Sequence, residues 1–356
     1  MAGKRYFDYP MLFLVIFLIC LSGMIYSTSS YKSTVTYGNS YHWLLRQAVA
    51  IVLGAVAMVV CCKLDYRIIK SEKFGNGCYW ASIILLVLVL IIGAAKKGAV
   101  RWISIAGFQF QPSEVSKILV VIYLANRLSA NAHKIRTFKD SIVIVLPTVP
   151  IIALIVTQNL STALVVCSMI GVMLFVVSPK MKELMLTAGG GIILLFVYLL
   201  TANSYRNERV QIWLHPESHK KGFQTMQALY AIGSGGIFGK GLGQSMQKMG
   251  FIPESHNDMI FSIICEELGL FGAVCLILVF VALIFRMLLI ALNTEDLFGS
   301  LIVIGFMTHI AIQVFINIAV VNKHDPADRN STSIYQLWRY IDPRCHDRNG
   351  NRIINF

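Results

Sequence analysis

The stretch 250–269, GFIPESHNDMIFSIICEELG, sets Glu254, His256 and Asp258 just before an apolar run and Glu266 and Glu267 inside it. Carboxylates and imidazoles are the side chains that take a proton from an attacking hydroxyl. A helix starting near Asn257 places Asp258 on its first turn, close to a membrane surface. Glu266 then lies about 12 Å deeper and roughly 80° round the helix, so both can look toward one side while Glu267 points elsewhere. An ionisable residue inside a span marks a pathway or an active site by default. The competing reading for Glu266 and Glu267 is a buried carboxylate paired with a Lys or Arg of a neighbouring element, and the sequence leaves both open.

A second polar knot is RWISIAGFQFQPSEVSKILVV, residues 101–121. Pro112 suits the first helical position, where its missing N–H is not needed. Glu114 falls in the first turn, at the positive end of the helix dipole. Lys117 comes at i+3, in reach of Glu114. The plain alternative is a helix start carrying a lysine that snorkels to the headgroups.

These residues need a scaffold, and composition identifies it. The chain is 56% hydrophobic and 14% charged, where a globular domain is about 25% charged. Apolar runs recur at the length of about 20 residues that crosses about 30 Å of hydrocarbon. Spans are expected near 10–28, 43–62, 79–95, 112–126, 141–157, 161–178, 184–201, 259–285 and 298–321. The predicted fold class is all-α, a polytopic membrane helix bundle of about nine spans with one large external loop between spans 7 and 8.

The net charge of +13 suggests nucleic acid, but its distribution describes topology instead. With the N-terminus in the cytoplasm, the cytoplasmic segments hold thirteen Lys and Arg, from Lys4 and Arg5 to Arg286, while the long external segment 202–258, which weighs less in topology, holds six. The short external loops hold only Lys32, Lys96, Lys97 and Arg101. That asymmetry is the positive-inside rule, so no nucleic-acid partner is expected. The first span lacks a signal-cleavage pattern and reads as a retained helix. Eight cysteines show no CxxC or Cys/His metal spacing, and buried, inert thiols are expected.

The large loop, residues 202–258, opens polar and continues as FQTMQALYAIGSGGIFGKGLGQSMQKMG. Met226, Leu229 and Tyr230 fit one helical face, which predicts a short amphipathic helix. The glycines beyond it, Gly233 to Gly243, resemble a phosphate loop only loosely, since Lys240 precedes Gly241 rather than Ser or Thr. A glycine-rich turn or re-entrant backbone is the better reading, tolerated at membrane depth where protein covers it.

Taken together, GAVRWISIAGFQFQPSEVSK, TQNLSTAL, FQTMQALYAIGSGGIFGKGLGQS and FIPESHNDMIFSIICEELGLFG resemble the SEDS family of cell-wall polymerases, FtsW, RodA and SpoVE. The likeness covers residues 10–322, and MQALYAIGSGG with PESHND is closer to the FtsW/SpoVE branch. The resemblance implies a ten-helix fold and a peptidoglycan glycosyltransferase polymerising lipid II at the outer face of the bacterial cytoplasmic membrane, in division or sporulation. It implies a class B penicillin-binding protein as partner, alongside other divisome or elongasome membrane proteins. The family's essential external acid falls on Asp258, the catalytic base. Arg101, Gln111, Ser113, Glu114, Lys117, Glu254, His256 and Glu266 are the implied substrate-binding residues. No cofactor is certain; a divalent cation, Mg or Mn, is an open alternative to Lys and Arg on the diphosphate. A lipid II flippase and a non-catalytic divisome scaffold are the competing functions. A transporter would spread polar residues through the membrane depth and show inverted repeats, and neither is clear.

Beyond Val321 the resemblance breaks. The family reads on through a Thr-Asn-Thr-Ile-Pro type turn into a tenth span; this chain reads NKHDPADRNSTSIYQLWRYIDPRCHDRNGNRIINF. Reverse translation with permitted codons, less one adenine after Val321, gives VVTNTIPPTGIPLPFISYGGT, nearly the family segment. A single inserted nucleotide near codon 322 is the expectation. The predicted organisation is a polymerase domain over 1–322, containing the loop 202–258, and an aberrant, unstructured polar tail over 323–356.

Overall fold

The computed structural model describes residues 8–27, 41–63, 66–96, 99–105, 108–135, 137–178, 222–249, 251 and 259–321. Among them the helices are α1 (Tyr9–Ser27), α2 (His42–Lys63), α3 (Glu72–Ile92), α4 (Pro112–Asn131), α5 (Phe138–Val145), α6 (Val149–Gln158), α7 (Leu160–Val177), α8 (Phe223–Gly235), α9 (Ile260–Leu292) and α10 (Leu297–Val321). Eight of the nine expected spans fall on these helices. The expected span 184–201, the loop start 202–221, the stretch 252–258 and the tail 323–356 lie outside the described residues.

Five described stretches are long and apolar enough to cross a membrane: Glu72–Ile92, Lys139–Gln158, Leu160–Val177, Ile260–Leu292 and Leu297–Ala319. Their outer faces carry exposed Ile91, Phe271, Leu278 and Phe315, a density of bare hydrocarbon that only lipid would cover. The protein is a multi-pass helical membrane protein. Pro147 and Pro150, which interrupt the fifth expected span, fall at a 3₁₀ turn, Leu146–Thr148, and at the start of α6. A proline there removes a donor that the helix interior would need, so the span is built from α5 and α6 in series.

One element was not anticipated. Three strands, β1 (Ala94–Lys96), β2 (Ala99–Ile105) and β3 (Phe108–Phe110), form an antiparallel sheet in that order. Ile103 pairs with Phe110 and Ile105 with Phe108. The alternation in RWISI is a strand signal, but it stands beside spans whose apolar runs mask a period of two.

The chain divides into two compact units, residues 1–57, 199–283 and 314–356, and residues 58–198 and 284–313. In the second unit α3 packs on α4, and Leu86, Val120, Val121, Leu124, Leu128, Ile155, Val166, Met169 and Leu301 are buried. Gly75 lets α3 close on α4: a Cβ there would meet the Asn126 side chain at 3.1 Å. Asn126 donates to the Ile69 carbonyl at 2.8 Å, and Gln158 donates to the Leu86 carbonyl at 3.2 Å, which satisfies two buried amides in an apolar bundle.

In the first unit the core joins α8 to the start of α9 through Ala228, Ala231, Ile232, Met259, Phe261, Ile263, Cys265 and Ala273. The amphipathic helix expected after residue 222 is there, but its buried face is Ala228, Ala231, Ile232 and Gly235, whereas Tyr230 is exposed. Ala228, Ala231 and Gly235 allow the close approach, while Phe223 and Tyr230 face outward. The seven described cysteines are free, yet only Cys78 and Cys265 are buried. The others lie on outer helix faces, which corrects the expectation that all are interior.

Candidate functional site

At the start of α4, Gln111 is the cap residue and Pro112 occupies the first turn. The Glu114 N–H donates to the Gln111 carbonyl at 3.0 Å, and the Gln111 side-chain amide donates to Ser113 Oγ at 2.9 Å. Lys117 Nζ meets Glu114 Oε2 at 2.8 Å, with the lysine side chain 2% exposed and the carboxylate side chain 51% exposed. The snorkelling alternative therefore fails for Lys117: its ammonium turns back into the bundle and is held by the half-exposed carboxylate one turn earlier. Ser116 Oγ and, on α10, His309 Nδ1 are buried polar atoms without a hydrogen-bond partner among the described residues. His309 lies within electrostatic range of both Lys117 and Glu114, an addition to the site that its isolated position in an apolar span did not reveal.

Of the residues singled out in the sequence, the structure brings together Gln111, Ser113, Glu114 and Lys117. Arg101 and its neighbour Trp102 are placed by their backbone alone, on β2. Glu254, His256 and Asp258 lie outside the described residues.

Glu266 belongs to a different constellation. The α9 backbone breaks at Gly269, with φ 69° and ψ −168°, and the glycine-rich segment after α8 fills the break. The Leu270 N–H donates to the Gly236 carbonyl at 2.9 Å and the Phe271 N–H to the Ile237 carbonyl at 3.0 Å; in return the Lys240 N–H donates to the Glu266 carbonyl at 2.9 Å and the Gly241 N–H to the Glu267 carbonyl at 3.0 Å. Gly236, Gly239, Gly241 and Gly243 all take positive φ. The loop is a glycine-rich turn whose backbone satisfies the donors and acceptors freed by the kink.

Both carboxylates point into that loop. Glu266 is fully buried; its Oε1 accepts from Lys240 Nζ at 2.7 Å and from the Met246 N–H at 3.3 Å. Its Oε2 accepts from Ser245 Oγ and, at 3.4 Å, from the Gln247 N–H. The single proton of Ser234 Oγ lies between the Ala231 carbonyl at 3.1 Å and Glu266 Oε1 at 3.4 Å. Glu267 accepts from Lys248 Nζ at 2.6 Å, with both side chains nearly inaccessible, 2% and 5%. The two adjacent carboxylates, on regular helix before the kink, each find their own lysine in the one loop. The buried ion pair, not an open carboxylate, describes both. Lys240 and Lys248 were absent from the residues expected to matter; their spacing of eight opposite a Glu-Glu pair is the only trace in the sequence.

Among the described residues no three His, Cys, Asp or Glu side chains converge on a metal position.

Comparison with known proteins places these features. The model of the FtsW/RodA/SpoVE family, described as cell cycle proteins, matches residues 9–326. A probable peptidoglycan glycosyltransferase FtsW of Geobacter metallireducens is 35% identical over 329 residues, covering 89% of this chain and 86% of its own length. Stage V sporulation protein E of Bacillus subtilis is 36% identical over 308 residues, covering 84% and 82%. Among solved structures, a chain of a peptidoglycan synthase complex, described for the coordination of polymerization and crosslinking, aligns with a TM-score of 0.73 at 25% identity over 95% of this chain and 97% of that one. The Thermus thermophilus rod shape determining protein RodA aligns with a TM-score of 0.65 at 24% identity, over 94% of each chain, which supports the fold.

Proposed function

Because the chain belongs to the FtsW/RodA/SpoVE family of cell cycle proteins, we propose that it is a peptidoglycan glycosyltransferase that polymerises lipid II at the outer face of the cytoplasmic membrane. The supporting observation is the match across residues 9–326 with relatives named as probable glycosyltransferases; those names speak of glycosyl transfer, not of lipid flipping or scaffolding.

In the proposed reaction the 4-hydroxyl of an acceptor sugar attacks the anomeric carbon of a diphosphate-linked donor. Asp258 takes the hydroxyl proton as general base, a contribution of about 10²–10⁴-fold. The glycosidic C–O bond forms as the bond to the diphosphate breaks, and the leaving oxygen needs positive charge. Lys117 is the cation assigned to it, held by Glu114 at 2.8 Å, with Arg101 on β2 as the second. An ammonium already turned inward and tied by a neighbour loses little orientational freedom when the phosphate arrives. A divalent cation, if bound, would supply charge neutralisation at the same diphosphate; the described residues offer no cluster to hold it. The partner supported by the synthase-complex likeness is a cross-linking enzyme of the class B penicillin-binding type.

The test is radiolabelled lipid II polymerisation by the purified protein with that partner. Asp258→Ala is expected to abolish glycan formation while leaving membrane insertion and partner binding intact. Normal polymer yield from the mutant complex would remove Asp258 from the mechanism.

A further inference from the structure

Where α10 meets α4, the contact is set by a glycine. A Cβ on Gly305 would meet Val121 Cγ1 at 2.6 Å and, on α7, Met173 Sδ at 3.2 Å, so its absence lets α10 close directly on α4. Lys117 lies four residues before Val121, and His309 four residues after Gly305. Each is therefore about 6 Å along its helix from the contact and on the same face as the residue that makes it. His309 is within electrostatic range of Lys117 and Glu114, both on the early side of Val121, so the two helices run antiparallel. That register sets the imidazole level with the Lys117 ammonium. All of these residues belong to the second unit.

At that level, polar groups have hydrogen bonds to spare among the described residues. An ammonium carries three donors, and Lys117 spends one on Glu114. His309 Nδ1 is buried and spends nothing. One turn along the same face of α4, buried Ser113 accepts from the Gln111 amide and keeps its own proton to give. Unsatisfied polar atoms inside an apolar bundle cost free energy, and a group that accepts several hydrogen bonds at once would relieve all three. Phosphate oxygens do this, and their charge strengthens each bond.

We propose that His309 is a further substrate-binding residue: its Nδ1–H donates to the diphosphate of the lipid-linked donor from α10, while Lys117 holds the same group from α4. The proposal rests on the reading of Lys117 as the cation for that diphosphate. The neutral imidazole suffices, in the tautomer that carries its proton on Nδ1. The role explains why a polar ring is kept at the closest approach of two helices, where an apolar side chain would pack at no such cost. It also ties the diphosphate to two helices at once, so the grip depends on their register.

The test is binding of farnesyl diphosphate to the full-length protein in detergent, with farnesol as the control for the tail; it needs no turnover. His309→Leu should weaken diphosphate binding by about tenfold or more, the effect of losing a hydrogen bond to a charged group, and leave farnesol binding unchanged. Its thermal midpoint without ligand should be equal or higher, because an orphaned buried nitrogen is gone. His309→Asn, whose amide nitrogen can stand where Nδ1 stood, should recover most of the affinity. His309→Gln carries its amide out to the place of Nε2 and should not recover it; this variant replaces His309→Leu should that one not fold. A lower midpoint with unchanged affinity, or His309→Asn no better than His309→Gln, would make His309 a packing residue and overturn the proposal. Phosphatidylglycerol competing equally well, with the same dependence on His309, would also overturn it, in favour of a general headgroup site. Lys117→Met separates the two readings. If it weakens diphosphate binding and His309→Leu does not, His309 falls and the diphosphate reading stands. A wild-type protein that binds farnesyl diphosphate no better than farnesol would remove the diphosphate from Lys117 itself.

Discussion

Three glycines near the α9 kink separate backbone strain from space, and substituting each by alanine gives a graded series. Gly233 lies within α8 with nothing within 4 Å of an added Cβ. Alanine there removes a helix-interior glycine and should stabilise by about 0.5–1 kcal/mol. Gly236 has φ 59° and ψ −150°, a region essentially reserved for glycine, but an added Cβ would again meet open space. Gly236→Ala should therefore cost only the strain, about 1–3 kcal/mol. Gly269 occupies the same backbone region, φ 69° and ψ −168°, but there a Cβ would run into Gly239 N and the Ile237 carbonyl. Those are backbone atoms and cannot rotate aside. The loop must withdraw, taking with it the bonds from Leu270 and Phe271 to Gly236 and Ile237, each worth about 0.5–1.5 kcal/mol net. Strain and lost bonds together give roughly 2–6 kcal/mol for Gly269→Ala. At about 2–4 °C per kcal/mol for a chain of this order, the first midpoint should rise slightly, the second fall by several degrees, and the third fall about twice as far as the second. Thermal unfolding followed by tryptophan fluorescence in one detergent reads the series. A Gly269→Ala protein as stable as Gly236→Ala would show that the loop does not fill the kink.

The Lys248–Glu267 pair should be dispensable only as a pair: Lys248→Met alone should destabilise by about 3–5 kcal/mol, and Lys248→Met with Glu267→Leu by far less, which the same unfolding assay checks. Lys117→Met and Glu114→Gln should each lower polymerisation, Lys117→Met the more if its ammonium meets the diphosphate. A double mutant no worse than the more harmful single would reduce the two to one ion pair. At the end of the chain, resequencing around codon 322 should show an inserted base, and its removal should restore a family-like segment and raise polymerisation. A clean frame through Phe356 with an active product would refute the insertion.

The family match ends at residue 326, close to the point where the sequence itself departs from the family wording. The spans were legible because hydrocarbon imposes one length on every helix that crosses it, so eight of the nine expected segments fall on described helices. Gln111, Ser113, Glu114 and Lys117 were legible because proline at a helix start fixes the phase of the first turns, and i+3 spacing does the rest. Glu266 and Glu267 were read on the assumption of one uninterrupted helix, in which neighbouring residues diverge by about 100°. The helix is regular at both residues and breaks only at Gly269, so what went unread was the loop that enters there with Lys240 and Lys248. A glycine in an apolar span is ordinary in sequence, and its backbone conformation depends on whether another segment arrives to accept the freed N–H groups. The arriving segment was itself recognisable, as glycines that made no sense as a phosphate loop; the information lay in reading the two anomalies together. A run of glycines with two lysines, and a Glu-Glu-Leu-Gly inside a span, each leave unmet partners when taken alone. Paired, the lysines meet the carboxylates and the loop amides meet the carbonyls of the broken helix, so each segment explains why the other departs from regular structure.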